Sequence, residues 1–135
     1  MLGRNSYEKA YVAAGRAKVA AQLSAYKKLA KAAKAPAEAF GPVFFNNMVI
    51  ELEALFVHRL RGKEGKDGNA LNEVRVLANS MMVNGDKLAA DPQIKLDPAT
   101  SILGHKVGDP IRVTEADFSK LAKAFFAEIE RKYPA

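Results

Sequence analysis

The sequence predicts a mainly α-helical fold in one domain over residues 1–135: a four-helix bundle-like arrangement with a small two-stranded antiparallel ribbon before the last helix. Three observations predict it. Apolar residues recur at the three- and four-residue spacings of a helix face through most of the chain. Proline and glycine gather between those stretches and punctuate them. At 135 residues, with 49% apolar and 27% charged side chains, the chain suits a single hydrophobic core.

The first helix is expected over about residues 6–34. Alanine and lysine, both strong helix formers, dominate it, and it holds no proline. Ser6 is placed to cap it, and Lys27, Lys28, Lys31 and Lys34 fall where cations complement the C-terminal dipole. At 100° per residue, Tyr11, Val12, Val19, Leu23, Tyr26 and Leu29 share one face, while Lys9, Arg16, Lys27, Lys31 and Lys34 share another. Gly15 is a weak point. Ala35-Pro36 is expected to close the helix, because the residue before proline avoids the helical region.

Pro42 suits the first turn of a second helix over about 42–61. Its wide apolar arc includes Phe44, Phe45, Met48, Val49, Leu52, Leu55, Phe56 and Leu60, which predicts a central position. Residues 62–68 read as a glycine-punctuated loop. Asn69 caps a third helix over about 70–84, burying Leu71, Val74, Leu77, Ala78 and Met81, and Asn84-Gly85 ends it with a left-handed cap. Beyond it, three Asp-Pro pairs bracket the alternating runs 94–96 and 111–113, which are expected to pair as the ribbon. Thr114 starts the last helix, over about 114–133, with Glu115 and Asp117 in its first turn.

Composition excludes several chemistries. The chain has no cysteine, so disulfides, thiolate metal sites and thiol nucleophiles are ruled out. No apolar run reaches the roughly 20 residues of a membrane-spanning helix, and residues 1–6 lack the apolar stretch of a secretory signal. A cytoplasmic location without membrane attachment is the expectation. Two histidines cannot supply a three-histidine site. No metal or cofactor is expected.

Charge is unevenly placed. Of the net charge of +6, residues 1–35 carry eight basic groups against Glu8 alone, and the remainder is nearly neutral. Such asymmetry suits an anionic partner or a solvated helix face. Nucleic acid is one such partner, but no recognised module stands beside the basic stripe.

Two constellations carry potential chemistry. Asn47, Glu51 and His58 fall within about 40° of one another on the wheel of the second helix. Glu51 and His58 are the candidates for acid–base catalysis on a small anionic substrate, although two helical turns, about 10 Å, separate them. A polar stripe bonded to neighbouring elements is the alternative. The second constellation joins Arg59, Arg61, Lys63, Lys66 and Asn69 beside the start of the third helix, where free amides and arginines favour an anion. No phosphate loop is formed, since Asp67 stands where Ser or Thr would hold magnesium.

Several segments carry a resemblance: Phe45-Asn46-Asn47-Met48, Phe56-Val57-His58-Arg59-Leu60-Arg61, the run from Gly65 to Arg75, and Val107 to Arg112 with the helix start from Thr114 to Phe126. Together they resemble a group of small uncharacterised bacterial proteins. The resemblance implies a bacterial cytoplasmic protein and supplies no catalytic residue.

The functional expectation is a non-enzymatic binding or interaction protein acting through the basic first helix or the Arg59/Arg61 corner. The alternatives are an enzyme with a pocket beside Asn47, Glu51 and His58, and non-specific nucleic-acid binding. Self-association as a homodimer through helix one is also expected. A helix of about 29 residues, roughly 43 Å long, would overhang a globule of this size and expose Tyr7, Tyr11 and Val12.

Overall fold

In the computed structural model, which describes residues 3–135, five helices follow one another: α1 (Lys9–Ala32), α2 (Lys34–Leu55), α3 (Arg61–Glu64), α4 (Ala70–Val83) and α5 (Glu115–Lys132). The mainly helical class holds, and the core lies where α2 and α4 meet α5, with α1 laid across α2.

The α1–α2 boundary moves from the expected position. Ala33 leaves helical geometry at φ −148°, and α2 begins at Lys34, so Pro36 occupies its first turn. There a missing N–H costs nothing, because the first N–H groups of a helix have no intrahelical partner. Pro42 then lies inside α2.

α1 runs unbroken through Gly15, which packs near Leu55, Phe56 and Phe126. Its 24 residues span about 36 Å. The expected overhang is absent, since Tyr7 and Val12 belong to the core. Tyr7 and Tyr11 instead terminate α2: the Tyr11 hydroxyl donates to the Leu55 carbonyl and the Tyr7 hydroxyl to that of Phe56, at 3.3 Å. Helix ends leave carbonyls without internal partners; Tyr11 satisfies that of Leu55, and Tyr7 shares that of Phe56 with Arg59. α2 therefore stops at Leu55, six residues before the expected end.

The N-terminal segment is tied down by long-range backbone bonds. Arg4 N–H donates to His58 O and Leu60 N–H donates to Arg4 O, both at 2.7 Å, and Tyr7 N–H donates to Tyr133 O at 3.0 Å. Gly3 makes this approach possible, because a Cβ there would stand 2.7 Å from Leu60 Cα.

The expected pairing of 94–96 with 111–113 does not form. Lys95 N–H donates to Lys66 O at 2.7 Å, beside the loop before α4. The second run pairs with the chain just after α4: Ile111 N–H donates to Asp86 O and Leu88 N–H to Asp109 O. Only isolated bridges result among the described residues. Gly85 and Asp86 both take φ 60°, and Lys87 N–H closes the turn onto Asn84 O. Positive φ at both central residues gives the tight turn that brings 86–88 back against 108–111.

Two of the three anticipated N-caps are present; Ser6 is not one, because α1 starts at Lys9 with Glu8 at its N-cap and no side-chain capping bond. Asn69 Oδ1 accepts from Asn72 N–H at 3.0 Å, and Thr114 and Asp117 form a reciprocal capping box on α5.

Candidate functional site

The stripe of Asn47, Glu51 and His58 is dispersed. Asn47 is exposed and lines an open groove of about 460 Å³ between α2, the 85–87 turn and residues 110–112. Glu51 turns toward α1, accepting from Gln22 Nε2 at 2.9 Å and lying 3.5 Å from Lys18 Nζ. His58 lies beyond the end of α2 and lines a different cavity, of about 300 Å³. The wheel that aligned these residues assumed a helix to Arg61. With the helix ending at Leu55, only Asn47 and Glu51 share it.

The Arg59/Arg61 corner is also rearranged. Arg59 is 2% exposed and Glu64 is wholly buried. The Arg59 Nε donates to Glu64, its Nη1 to Phe56 O at 3.1 Å and its Nη2 to Leu71 O at 3.0 Å. Arg75 donates to the same Glu64 carboxylate through Nε at 3.0 Å and Nη2 at 3.1 Å. Glu53 completes the group, with Oε1 2.9 Å from Arg59 Nη2 and Oε2 3.5 Å from Arg75 Nη1. The Nη2 contact with Glu53 is a close ion pair in a buried setting. Two guanidiniums and two carboxylates thus neutralise one another inside the protein.

The electrostatics follow from burial and charge. Burial raises the Glu53 pKa against the lowering effect of Arg59 and Arg75. For Arg75, burial acts to lower the pKa, and the hydrogen bond and charge of Glu64 with the charge of Glu53 outweigh it, leaving a net rise. Burial, with the Glu64 charge behind it, pushes the Tyr133 phenol up to about 12, and its hydroxyl donates to Leu60 O at 2.7 Å.

The rest of the expected anion corner is mostly engaged within the chain. Arg61 Nε stands 3.4 Å from Glu64 Oε1, Lys63 Nζ donates to Asn5 O at 2.9 Å, and Asn69 caps α4. Lys66 is exposed and makes no ion pair among the described residues.

Three side chains outside the expected constellations hold backbone in place. Asn46 donates to Ile111 O at 2.8 Å and accepts from Val113 N–H at 3.0 Å, as a neighbouring strand would. Asn72 Nδ2 donates to Gly65 O and Asp67 O. The buried Glu73 carboxylate accepts from Ile102 N–H at 2.7 Å and Leu103 N–H at 2.9 Å. No sequence pattern marks these partners, which lie 29 or more residues away for Glu73 and 65 or more for Asn46.

On the outside, the basic face of α1 is partly neutralised. Arg16 pairs with Glu130, Lys18 with Glu51, and Lys27 with Glu115. Lys9, Lys28, Lys31 and Lys34 are exposed and make no ion pair among the described residues. Between α1 and α5 runs a groove of about 230 Å³ with Val19, Leu23, Ala122 and Phe126 as its floor and Arg16 and Lys123 at its edges. No group of three or more His, Asp and Glu side chains gathers to hold a metal ion among the described residues. No family model, curated protein or solved structure matches the chain.

Proposed function

We propose that this chain is a non-enzymatic binding protein that docks an acidic, amphipathic segment of another protein on the α1 side of the bundle. One contrast supports the reading: Arg59 and Arg75 are neutralised by Glu53 and Glu64 in the interior, whereas Lys28, Lys31 and Lys34 face solvent and pair with no carboxylate among the described residues. The groove between α1 and α5 supplies an apolar floor with Lys123 at one edge, which matches the helix-in-groove mode of recognition. A cytoplasmic bacterial setting, as the resemblance implies, belongs to the same proposal. The enzymatic alternative has less support, because Asn47 and His58 open onto separate cavities and Glu51 bonds to α1.

Fluorescence anisotropy with a labelled acidic amphipathic peptide, a DNA duplex and a single strand tests the proposal. The peptide is expected to bind, with affinity falling as salt rises, and the triple variant Lys28→Glu, Lys31→Glu, Lys34→Glu is expected to abolish it. Binding to the nucleic acids alone, with a steep salt slope, replaces the partner class. Binding to none of them overturns the reading.

A further inference from the structure

The cavity beside His58 lies where the N-terminal segment crosses the end of α2, apart from the basic face of α1. Its volume of about 300 Å³ is at the small end of ligand sites. Tyr7 and Tyr11 form one wall, their rings stacked with centroids 5.9 Å apart. Their hydroxyls are engaged by Phe56 O and Leu55 O, so the rings offer the cavity apolar faces. Ala54, Leu55 and Val57 add aliphatic surface.

Three ionisable side chains line the same cavity: Arg4, Glu8 and His58. The Arg4 guanidinium stands 5.5 Å from the centroid of the Tyr7 ring. Its backbone is bridged to that of Arg59 by the pair of 2.7 Å bonds, which holds Arg4 at the cavity that His58 also lines. Glu8 is the N-cap residue of α1, yet its side chain makes no capping bond. None of the three forms an ion pair among the described residues. Elsewhere on α1, Arg16, Lys18 and Lys27 all find carboxylates. In this cavity, opposite charges line one space without meeting.

We infer that this cavity binds a small zwitterion with an apolar body, of the size of an α-amino acid or a dipeptide. The carboxylate would sit against Arg4 and His58, and the ammonium against Glu8 and the face of Tyr11. A purely anionic molecule meets Glu8, and a purely cationic one meets Arg4. Only a molecule carrying both charges answers the whole lining.

The test is an NMR titration of the full chain with L-leucine, L-phenylalanine and leucyl-leucine, alongside 4-methylpentanoate and isoamylamine, which carry one charge each. At about 10 mM, a site of millimolar affinity is mostly filled. At least one zwitterion is expected to give saturable shifts at the amides of Tyr11, Val57 and His58, with neither singly charged molecule doing so. Arg4→Gln and Glu8→Gln are each expected to weaken that binding tenfold or more. Both side chains are exposed, and an unchanged amide spectrum elsewhere verifies the fold of each variant. Absence of shifts with all three zwitterions, equal shifts with a singly charged molecule, or shifts confined to other residues overturns the inference.

Discussion

Replacing Glu64 with glutamine probes the interior charge group most directly. Glu64 is wholly buried and accepts hydrogen bonds from both Arg59 and Arg75. Its neutralisation leaves the two buried guanidiniums, Arg59 and Arg75, facing Glu53 alone, while the half-exposed Arg61 at 3.4 Å stays solvated. Breaking a buried charge pair in this way costs about 3–5 kcal/mol, a large share of the roughly 5–15 kcal/mol that holds a domain together. Urea unfolding followed by circular dichroism measures the loss, with an unchanged m-value establishing that stability alone has changed. Charge counting gives a sharper test. Among the buried groups, Arg59→Met leaves two carboxylates against Arg75, with Arg61 solvated at the edge, so Glu64→Gln in that background restores the interior balance. The double variant is then expected to lose at least ~2 kcal/mol less than the sum of the two single losses, within the range for contacting residues. A loss below about 1 kcal/mol for Glu64→Gln, typical of a solvated pair, or additive single effects, would refute the argument.

Asn46→Ala removes two bonds to backbone and is expected to cost about 1–3 kcal/mol, with hydrogen exchange at Val113 accelerating more than exchange in α4. Glu73→Ala releases the amides of Ile102 and Leu103, so limited proteolysis is expected to cut within residues 97–104 faster than in the parent chain. Burial raises the pKa of Tyr7, and that of Tyr133 to about 12, from 10.0. Folded values above unfolded ones mean that this stabilisation is complete below pH 10 and is lost as pH rises through about 12. For Tyr133 alone the loss amounts to about 2–3 kcal/mol, and Tyr133→Phe, followed by alkaline denaturation and tyrosinate absorbance, is expected to flatten that fall. Self-association through α1 is expected to use Tyr11 and Leu29, which are 44% and 45% exposed. Sedimentation equilibrium is then expected to give twice 14.6 kDa, and Leu29→Glu to return the mass to that of one chain.

The parts of the fold that were legible in the sequence are those set by local rules. The apolar spacing of α4 and α5, the Asn69 cap, the Thr114–Asp117 box and the Asn84-Gly85 turn all depend on residues a few positions apart. The α1–α2 boundary was misplaced because two prolines satisfy the same first-turn rule, and a helix tolerated the second one. The end of α2 was illegible for a different reason: Tyr7 and Tyr11, more than 40 residues away, supply the groups that finish it. The candidate stripe failed with that boundary, since moving the helix end from Arg61 to Leu55 removes His58 from the common face. Arg59 looked like a surface cation because its partners lie on three separate segments, and no spacing within 59–69 announces Glu53 or Arg75. The ribbon was half legible. Residues 111–113 do take part in backbone pairing through their first member, but the run after α4 competes for it and wins, because the tight turn at Gly85-Asp86 brings 86–88 back at little entropic cost.

The bonds joining residues 3–7 to residues 58–60 and 133 impose an order on assembly during synthesis. α1, α2 and α4 leave the ribosome before α5 and pack through contacts among themselves, whereas Tyr7 cannot find the Tyr133 carbonyl until the chain has been made through residue 133. At ~5–20 residues per second this interval lasts roughly 6–25 s. Throughout it, Tyr7 lacks the ring of Tyr133 that later stands with its centroid 5.8 Å away. A nascent chain stalled before residue 133 therefore presents an aromatic patch that the finished protein hides, and that patch is where a chaperone that binds apolar surface would engage it.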